Sequence, residues 1–372
     1  MFDSALHSSA PPPINVAIVG AGWRSEFFHR IAKACPQRFS IGAVLTKTSA
    51  SAMRVKKNWG VPAVTTVKEL LDRGPFEYVV LAVPRNVSVE LMRAFLSAEV
   101  PVLAETPPAP TLPELVELFN SVGPSAPVQV AEQYHLQPHH AARIRVSRSG
   151  YLGDVQSTRI SVAHGYHGVS LMRGILGVGS DEVTLTAREF VESVISTRGR
   201  NGWLEECSTT ESTRIIANLD FGGRFGIFDF MGEQYFSPIR SRQISIWGSR
   251  GELQGDNVNY FMGPRRVVRS MIVREVAGQD GDLGGMYLRQ LTMGEELLFE
   301  NPFVPARLSD EEIAIAEVMR RMSAFVRSGA PFYGLADACQ DCYIALLIDE
   351  AVQSGRQVKS TRQPWDDYVK FP

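Results

Sequence analysis

The sequence predicts an α/β protein with a doubly wound parallel sheet in its first half and a large, mostly antiparallel open sheet in its second half. Two observations support this fold class. Short apolar runs alternate with amphipathic segments from residue 14 to about residue 133, and stretches rich in Thr, Ile, Val and Phe dominate residues 183–253. The first pattern is typical of a Rossmann domain, and the second is typical of long antiparallel strands.

In the first half, nearly continuous apolar runs predict strands that are buried on both faces, and segments of helical period separate most of them. The strands are expected at 14–19, 39–45, 63–64, 78–83, 102–104 and 128–131, and the helices at 25–34, 49–59, 67–73, 87–98 and 112–122. We therefore expect a flexible leader at 1–13, a nucleotide-binding Rossmann domain at 14–133 and a second α/β domain at 134–372.

In the second half, two helical patterns each end at a glycine and precede the β-rich stretches. The helices are expected at 139–149 and 168–176, and the strands at 183–190, 192–197, 208–221, 224–231 and 242–253. Two further helical patterns, at 310–328 and 335–354, complete the chain and can pack back on the first domain. An open sheet with an uncovered apolar face predicts a homo-oligomer, a dimer or tetramer, that forms through this sheet.

The overall charge excludes several classes of partner. The chain has 372 residues, with 38 Lys and Arg against 40 Asp and Glu, so no basic excess indicates nucleic acid or an anionic membrane surface. No run of 18 apolar residues occurs, and the leader lacks the apolar core of a signal peptide. We therefore predict a cytoplasmic protein that binds a small molecule.

Four cysteines are too few for a disulfide framework in a chain of this length. Cys339 and Cys342 form a C-x-x-C, but they lie within a helical pattern, far from any predicted strand and turn of a redox motif. We interpret them as structural helix cysteines rather than as a redox or metal pair.

The turn at Gly20 and Gly22 is the strongest functional motif, because it follows the first strand directly and precedes a helical pattern. Gly20 would permit the tight turn, and Gly22 would let the backbone approach a pyrophosphate at the helix N-terminus. The third glycine of the usual motif is replaced by Ser25, so a glycine turn without a nucleotide is the alternative. Ala21, Trp23 and Arg24 belong to the same candidate site.

Further motifs follow the glycine turn in order: VVLAVPRN at 79–86, AETP at 104–107, AEQYHLQP at 131–138, SGYLGDV at 149–155 and AHGYHGVSLMRGILG at 163–177. Together they resemble the Gfo/Idh/MocA oxidoreductase family over nearly the whole chain. The resemblance implies a Rossmann domain that holds NAD or NADP. It also implies an open sheet that covers a sugar or cyclitol site, at which a carbinol is oxidised or a carbonyl reduced.

The end of the second strand bears on the choice of nucleotide. An acid there would bind the ribose 2′-hydroxyl and repel a 2′-phosphate, but the sequence has Thr46, Lys47 and Ser49 instead. We therefore predict NADP in preference to NAD. The remaining residues predicted to bind the cofactor follow later strands: Val83, Pro84, Asn86, Glu105, Thr106 and Gln133.

The residues expected to be catalytic depart from the family pattern. The resemblance implies a lysine in E-K-P, but Thr106 occupies its position, and Ala163 and Ser170 replace two acids of a later segment. No lysine occurs between Lys68 and Lys359. The second domain therefore offers no lysine before residue 359 that could replace the one missing at Thr106.

A concentration of histidines offers another source of acid–base chemistry, because imidazole titrates near neutral pH. Five of the seven histidines lie between residues 135 and 167. His167 is the first candidate for the general acid/base, and the other candidates are His164, Tyr166, Tyr134 and His135. His139 and His140 are expected on an exposed helix face. A metal site at His164 and His167 lacks a third ligand, so we predict no metal.

Three functions remain open from the sequence. The first is an NAD(P)-dependent oxidoreductase of a sugar, cyclitol or related substrate, with histidine or tyrosine as the proton donor and acceptor. The second is an imine reductase of the thiazolinyl imine reductase type, which also lacks the lysine. The third is a dinucleotide-binding regulator that resembles the yeast galactose repressor and does not turn over.

Overall fold

The computed structural model describes residues 12–200, 202–278, 281 and 285–370. Most of the leader predicted at 1–13 lies outside the described residues. Within them, no helix is both long enough and apolar enough to cross a membrane.

The first sheet is parallel, and its strand order is 3-2-1-4-5-6, the order of a doubly wound dinucleotide-binding fold. Its strands are β1 (Ile14–Val19), β2 (Phe39–Leu45), β3 (Ala63–Val64), β4 (Tyr78–Leu81), β5 (Val102–Ala104) and β6 (Val128–Val130). The helices between them are α1 (Trp23–Ala34), α2 (Ser49–Trp59), α3 (Val67–Leu71), α4 (Arg85–Ser97) and α5 (Leu112–Val122). The carboxyl ends of these strands meet at one edge, where the glycine turn lies.

The second half contains a mostly antiparallel sheet of the order 14-13-12-11-7-10-9-8-18, in which only the pair of strands 7 and 10 is parallel. Its elements are α6 (Pro138–Arg148), β7 (Val155–Ser161), α7 (Gly165–Leu176), β8 (Thr184–Gly199), β9 (Gly202–Asp220), β10 (Phe225–Met231), β11 (Gln243–Gly248), β12 (Gly251–Gln254), β13 (Asn257–Gly263) and β14 (Arg266–Met271). A small sheet follows, with β15 (Val273–Val276), β16 (Leu288–Met293) and β17 (Glu296–Glu300), before α8 (Asp310–Ser328), α9 (Leu335–Ser354) and β18 (Val358–Lys359). The predicted fold class is confirmed.

Several predicted boundaries differ from the structure. The two strands expected at 183–190 and 192–197 are the single strand β8, which pairs with β9 in one long hairpin. The strand expected at 242–253 is divided into β11 and β12 at the turn before Gly251. Strands β13 to β17 were absent from the sequence prediction, because their side chains are largely half-exposed or exposed and show little apolar alternation.

The two terminal helices contact the first sheet and its neighbours. The buried hydroxyl of Tyr78 in β4 donates to the carbonyl oxygen of Met319 in α8, at 2.9 Å. At the sheet edge, the amide of Val130 in β6 donates to the carbonyl oxygen of Tyr333, at 3.0 Å. The chain thus returns to the Rossmann sheet after it has built the second sheet.

Helix α7 lies at the centre of this arrangement, and all its residues from Tyr166 to Leu176 are buried. Its Arg173 forms an ion pair of 2.6 Å with Asp341 of α9, and both side chains are 0% exposed. Asp341 also accepts a hydrogen bond from Tyr333 at 2.5 Å, and the hydroxyls of Tyr333 and Tyr166 are 2.9 Å apart. This buried polar chain fixes α7, which carries the histidine motif, against the C-terminal helix.

Candidate functional site

Two cavities lie on either side of the first turn of α1. The first, which we call the glycine-turn cavity, has a volume of about 590 Å³ and includes Gly20, Ala21 and Gly22 in its lining. The second, the histidine cavity, has a volume of about 790 Å³ and includes Trp23 and Arg24, the next two residues of the chain. An extended ligand that passes this turn would therefore reach both cavities.

Glycine occupies two positions of the turn, Gly20 and Gly22, for different structural reasons. Gly20 has φ +118°, and a Cβ there would lie 2.2 Å from the carbonyl oxygen of Ala82, so the fold itself requires glycine. Gly22 is the N-cap of α1, with φ −90° and ψ −178°, a conformation open to any residue. A Cβ at Gly22 would meet no protein atom within 4 Å. The space in front of this helix N-terminus therefore fits a pyrophosphate, whose charge the free N–H groups and the helix dipole favour.

The segment from the end of β2 into α2 provides two cations beside the glycine-turn cavity. Lys47 and Arg54 of α2 both line the cavity and are exposed, and neither has a carboxylate partner among the residues that the structure describes. The hydroxyl of Thr46 is directed inward and donates to the carbonyl oxygen of Thr48 at 3.0 Å. Ser49 is outside the lining, whereas Ser51 is part of it. The two cations and Ser51 are thus the groups that could meet a 2′-phosphate.

The other residues predicted to bind the cofactor fall into two sets. Val83, Pro84 and Asn86 line the glycine-turn cavity, as their position after β4 predicts. Glu105 instead forms an ion pair with Arg24, with 3.4 Å between Oε2 and Nε, and burial raises the pKa of its carboxyl. Thr106 and Gln133 are absent from the linings of both cavities. Their predicted contact with the cofactor stays a prediction.

One residue of the histidine cavity, His167, is paired with a buried carboxyl behind it, and the two side chains come from the two halves of the chain. His167 of α7 and Glu132, just after β6, have their Nδ1 and Oε2 atoms 2.6 Å apart. The Glu132 side chain is 0% exposed and the His167 side chain 6%. The backbone amide of Tyr134 donates to the second carboxyl oxygen of Glu132 at 2.8 Å, and the Tyr134 ring stacks on His167 with 4.4 Å between centroids. We call these two residues the Glu–His pair.

Burial sets the protonation of the Glu–His pair. Desolvation raises the pKa of Glu132 to about 8, whereas desolvation and the nearby Arg24 lower the pKa of His167. Both shifts favour the neutral pair, in which the carboxyl donates to Nδ1 and Nε2 carries the imidazole proton and is a donor. When the pair loses that proton, the carboxylate accepts from Nδ1–H and Nε2 becomes an acceptor.

The remaining predicted catalytic residues are not equivalent. Tyr134 and His164 line the histidine cavity with His167, and His164 Nδ1 lies 2.6 Å from the Tyr235 hydroxyl. His135 and Tyr166 are absent from its lining. His135 Nε2 lies 2.6 Å from the Ser170 hydroxyl, and Tyr166 joins the buried chain described above. These two residues support α7 rather than facing the cavity.

The expectation that His139 and His140 lie on an exposed helix face is wrong for His140, which is 7% exposed. Its ring packs on Tyr134 with 6.0 Å between centroids, and desolvation lowers its pKa well below the usual value. His139 has a partly exposed side chain, and its Nδ1 is 3.0 Å from Asp310. The sequence of α6 is polar, so it did not indicate that the face with His140 packs against Tyr134.

Other chemistry finds little support in the described part of the chain. Among those residues, no group of three or more His, Cys, Asp or Glu side chains is arranged to hold a metal ion. Cys339 and Cys342 are buried in α9, and the thiol of Cys342 contacts the carbonyl oxygen of Ala109 at 3.4 Å. Burial raises the pKa of both thiols, which disfavours the reactive thiolate.

The residues of the candidate site that the sequence did not single out include Glu132, Ser51, Arg54 and Tyr235. Glu132 could have been found, because it follows a parallel strand directly and therefore lies at the carboxyl edge of the sheet. Arg54 and Tyr235 lie within a polar helix and after a strand, respectively, and no local pattern separates them from surface residues.

Comparisons with known proteins agree with this geometry. The model of the Gfo/Idh/MocA family, described as an oxidoreductase family with an NAD-binding Rossmann fold, matches residues 14–126. The match covers β1 to α5 and ends before β6. An uncharacterised oxidoreductase of Schizosaccharomyces pombe is 35% identical over 113 residues, which are 29% of this chain and 30% of that protein. The chain therefore matches 30% of the length of this curated relative.

Solved structures resemble the whole chain in fold. An oxidoreductase from Agrobacterium radiobacter, in complex with NAD+, L-tartaric acid and magnesium, has a TM-score of 0.66 at 18% identity, over 93% of this chain and 98% of its own. A myo-inositol dehydrogenase from Corynebacterium glutamicum has a TM-score of 0.63 at 16% identity, over 94% and 99%. At these identities the likeness establishes a shared fold beyond the Gfo/Idh/MocA match, and it extends over both sheets.

We expect Gly20→Ala and Gly22→Ala to fail in different ways. Gly20→Ala meets the Ala82 carbonyl and a strained φ, so it should lower the free energy of unfolding by about 1–3 kcal/mol. Gly22→Ala should change the melting temperature by about 1 °C or less, yet raise the Kd of NADPH about tenfold or more. Thermal unfolding and NADPH fluorescence titration measure the two effects. Wild-type affinity in Gly22→Ala would show that no pyrophosphate binds at this turn.

Proposed function

We propose that the protein is an NAD(P)-dependent oxidoreductase that interconverts a carbinol and a carbonyl on a small polyhydroxylated substrate. The observation that carries this proposal is the Glu–His pair, whose His167 lines a cavity large enough for such a molecule. Trp23 and Arg24, which follow the glycine turn directly, line the same cavity. In this proposal the first sheet and its helices form the cofactor domain, and the part from residue 134 forms the substrate domain. The NAD+ and the inositol named for the two similar structures support the same class of cofactor and substrate.

The residues of the histidine cavity would manage the proton of this reaction. When bound, the nicotinamide ring accepts the hydride from the carbinol carbon or returns it to the carbonyl carbon. In oxidation, Nε2 of His167 accepts the hydroxyl proton while its Nδ1 proton passes to Glu132, so that one proton is gained by the pair. In reduction, the same proton returns to the carbonyl oxygen. The pair thus replaces the absent lysine with a histidine and a buried carboxyl.

The neighbours of His167 would hold its ring in place for this transfer. Tyr134 stacks on one side of the imidazole, and His164 meets it edge-on with 4.9 Å between ring centroids. The backbone amide of Tyr134 donates to one carboxyl oxygen of Glu132 and so fixes the other oxygen, which bonds to His167. Such fixation keeps Nε2 directed to a constant position, which proton transfer requires.

We also infer a preference for NADP over NAD. Support comes from two cations that line the glycine-turn cavity without a carboxylate partner in the described chain. Lys47 follows the end of β2, where an NAD-specific site has an acid, and Arg54 lies on α2. The cytoplasmic location and the homo-oligomer expected from the sequence stay predictions. The latter is consistent with exposed apolar side chains on the β8–β9 hairpin, such as Val191, Ile195 and Trp203.

We expect His167→Asn to lower kcat by about two to four orders of magnitude in both directions, because it removes the proton donor and acceptor. The Kd of NADPH should stay nearly constant. Tyr166→Phe is the matched control on the same helix, because its hydroxyl meets Tyr333 rather than the cavity, and it should change kcat less than about tenfold. Steady-state rates over a panel of sugars, cyclitols and their carbonyl forms measure the effect.

The alternatives predict other outcomes of that experiment. Wild-type protein that binds NADPH tightly but turns over no substrate would favour a regulator. Turnover of imines alone would favour an imine reductase. A kcat unchanged in His167→Asn would contradict the assignment and transfer the role to Tyr134 or His164.

The pH dependence should follow the Glu–His pair, because burial raises the pKa of Glu132 to about 8. Below that pH the pair holds its proton and can only donate, so kcat/KM for oxidation should fall about tenfold per pH unit. Above that pH the pair has lost its proton, so kcat/KM for reduction should fall instead. In Glu132→Gln this ionisation is absent and both profiles should be flat between about pH 6.5 and 9. Initial rates in both directions test this, and a profile shared by wild type and variant would refute it.

We expect Lys47→Ala to raise the Kd of NADPH about tenfold, as the loss of one hydrogen bond to a charged group predicts, while the Kd of NADH changes less than about twofold. Lys56→Ala is the control, because Lys56 is exposed on the same helix as Arg54 but is absent from the cavity lining. Fluorescence titration of both cofactors measures the four constants. Equal losses for both cofactors would count against a 2′-phosphate site.

A further inference from the structure

The acids of the histidine cavity are all neutralised by neighbours. Asp256 pairs with Arg143 at 2.8 Å, and Glu311 pairs with Arg24 at 2.9 Å. Asp310 pairs with Arg274 at 2.6 Å and lies beside His139. These carboxylates therefore contribute little free negative charge to the space that a substrate would occupy.

Arg242 lines the same cavity and has no carboxylate partner among the described residues. Its Nε donates to the carbonyl oxygen of Gln234 at 3.1 Å, and its Nη2 to that of Tyr235 at 2.6 Å. Its guanidinium carbon also lies 5.6 Å from the centroid of the Tyr235 ring. The group is thus held in one orientation with Nη1 left for a ligand, and its positive charge is not compensated.

A second cation reaches the cavity from the β8–β9 hairpin. Arg200, at the turn of that hairpin, is part of the cavity lining and lies 5.0 Å from the ring centroid of Trp23. It also has no carboxylate partner in the described chain. Both guanidinium groups are exposed at the cavity, so their charges are available to an anion there.

The position of Arg242 relative to the Glu–His pair limits the shape of the anion. Tyr235 packs against Arg242 and bonds to His164, and His164 packs against His167. Two side chains therefore separate the guanidinium from the imidazole along the cavity wall. This order along the wall favours a substrate whose anionic group, bound at Arg242, is several bonds away from the carbon that reacts at His167.

We propose that the histidine cavity binds an anionic polyol, with its carboxylate or phosphate held by Arg242 and Arg200 and its reacting hydroxyl several bonds away at His167. The assignment of the reacting end rests on the proposed function. The anion subsite itself rests on the two arginines. Guanidinium groups recognise both carboxylate and phosphate by paired hydrogen bonds, so a sugar acid and a sugar phosphate share this chemistry.

The test uses the full chain saturated with NADPH, or with NADH where NADPH does not bind. Titration calorimetry at constant ionic strength compares a panel of D-hexuronates, D-aldonates and hexose 6-phosphates with the neutral sugar or alditol of each. We expect at least one anionic member to bind at least about tenfold more tightly than its neutral counterpart. Arg242→Gln should abolish that advantage, and Arg242→Lys should retain part of it. Whether the acids or the phosphates respond distinguishes the two sources.

Arg240→Gln is the matched control, because Arg240 pairs with Glu192 at 3.7 Å and lines a different cavity. It should bind the anion as the wild type does. Unaltered NADPH affinity and melting temperature in Arg242→Gln exclude a folding defect. If Arg242→Gln does not fold, the comparison is made with Arg242→Lys instead.

The inference and the proposed function fail in different ways. Neutral members that bind as tightly as the anions, an anion whose Kd is the same in Arg242→Gln, or a panel without any anionic ligand would overturn the inference. Arg242-dependent anion binding without turnover would leave the subsite standing and contradict the oxidoreductase. Turnover of neutral polyols that does not change in Arg242→Gln would support the oxidoreductase and contradict the anion subsite.

Discussion

The hydrogen bond between Glu132 and His167 connects the two halves of the chain at the point where the chemistry would occur. Glu132 is placed by the end of β6 in the parallel sheet, and His167 by the first turns of α7 beneath the antiparallel sheet. A carboxyl and an imidazole that are both buried are stable only when each satisfies the other. The relative position of the two sheets therefore decides whether this pair exists, and much of the remaining structure serves to fix it.

The buried polar chain behind α7 helps to fix the position of the Glu–His pair. Consecutive contacts join four buried side chains, Arg173, Asp341, Tyr333 and Tyr166. Gln129 of β6 accepts hydrogen bonds from the amides of residues 332 and 333. Removal of one partner from such a chain leaves a buried charge or hydroxyl unsatisfied, which costs about 3–5 kcal/mol for an ion pair. Helix α7 therefore has few alternative positions, and the position of the His167 imidazole on its first turn is restricted with it.

The first half of the fold could be predicted from sequence because parallel strands covered on both faces are continuous apolar runs, as in Ile14–Val19. The glycine turn could be predicted for the same reason, since Gly20 follows that run directly. The strands from Asn257 to Glu300 could not, because they have many exposed side chains and share no single apolar face. The burial of His140 was also invisible, since its neighbour Tyr134 belongs to a turn whose direction the sequence does not specify.

The catalytic proposal shows the same division. His167 stood out from the sequence by its residue type and motif, but its partner lies 35 residues earlier, and only the fold brings them together. Arg242 is a similar case, because its lack of a carboxylate is a property of the assembled cavity. Local patterns identify the groups that could react, whereas the three-dimensional neighbours decide their protonation and their ligands.

The return of the chain to the edge of β6 has a consequence for the modularity of the protein. The segment before α9 pairs with Gln129 and Val130, so it covers the β6 edge of the parallel sheet, and α8 accepts the hydrogen bond of the Tyr78 hydroxyl. A gene fragment that ends near residue 133 would encode all six parallel strands but leave that edge free to pair with another molecule. The nucleotide-binding half is therefore continuous in sequence yet incomplete as a transplantable unit, and recombination between relatives would have to exchange residues 310–354 with it.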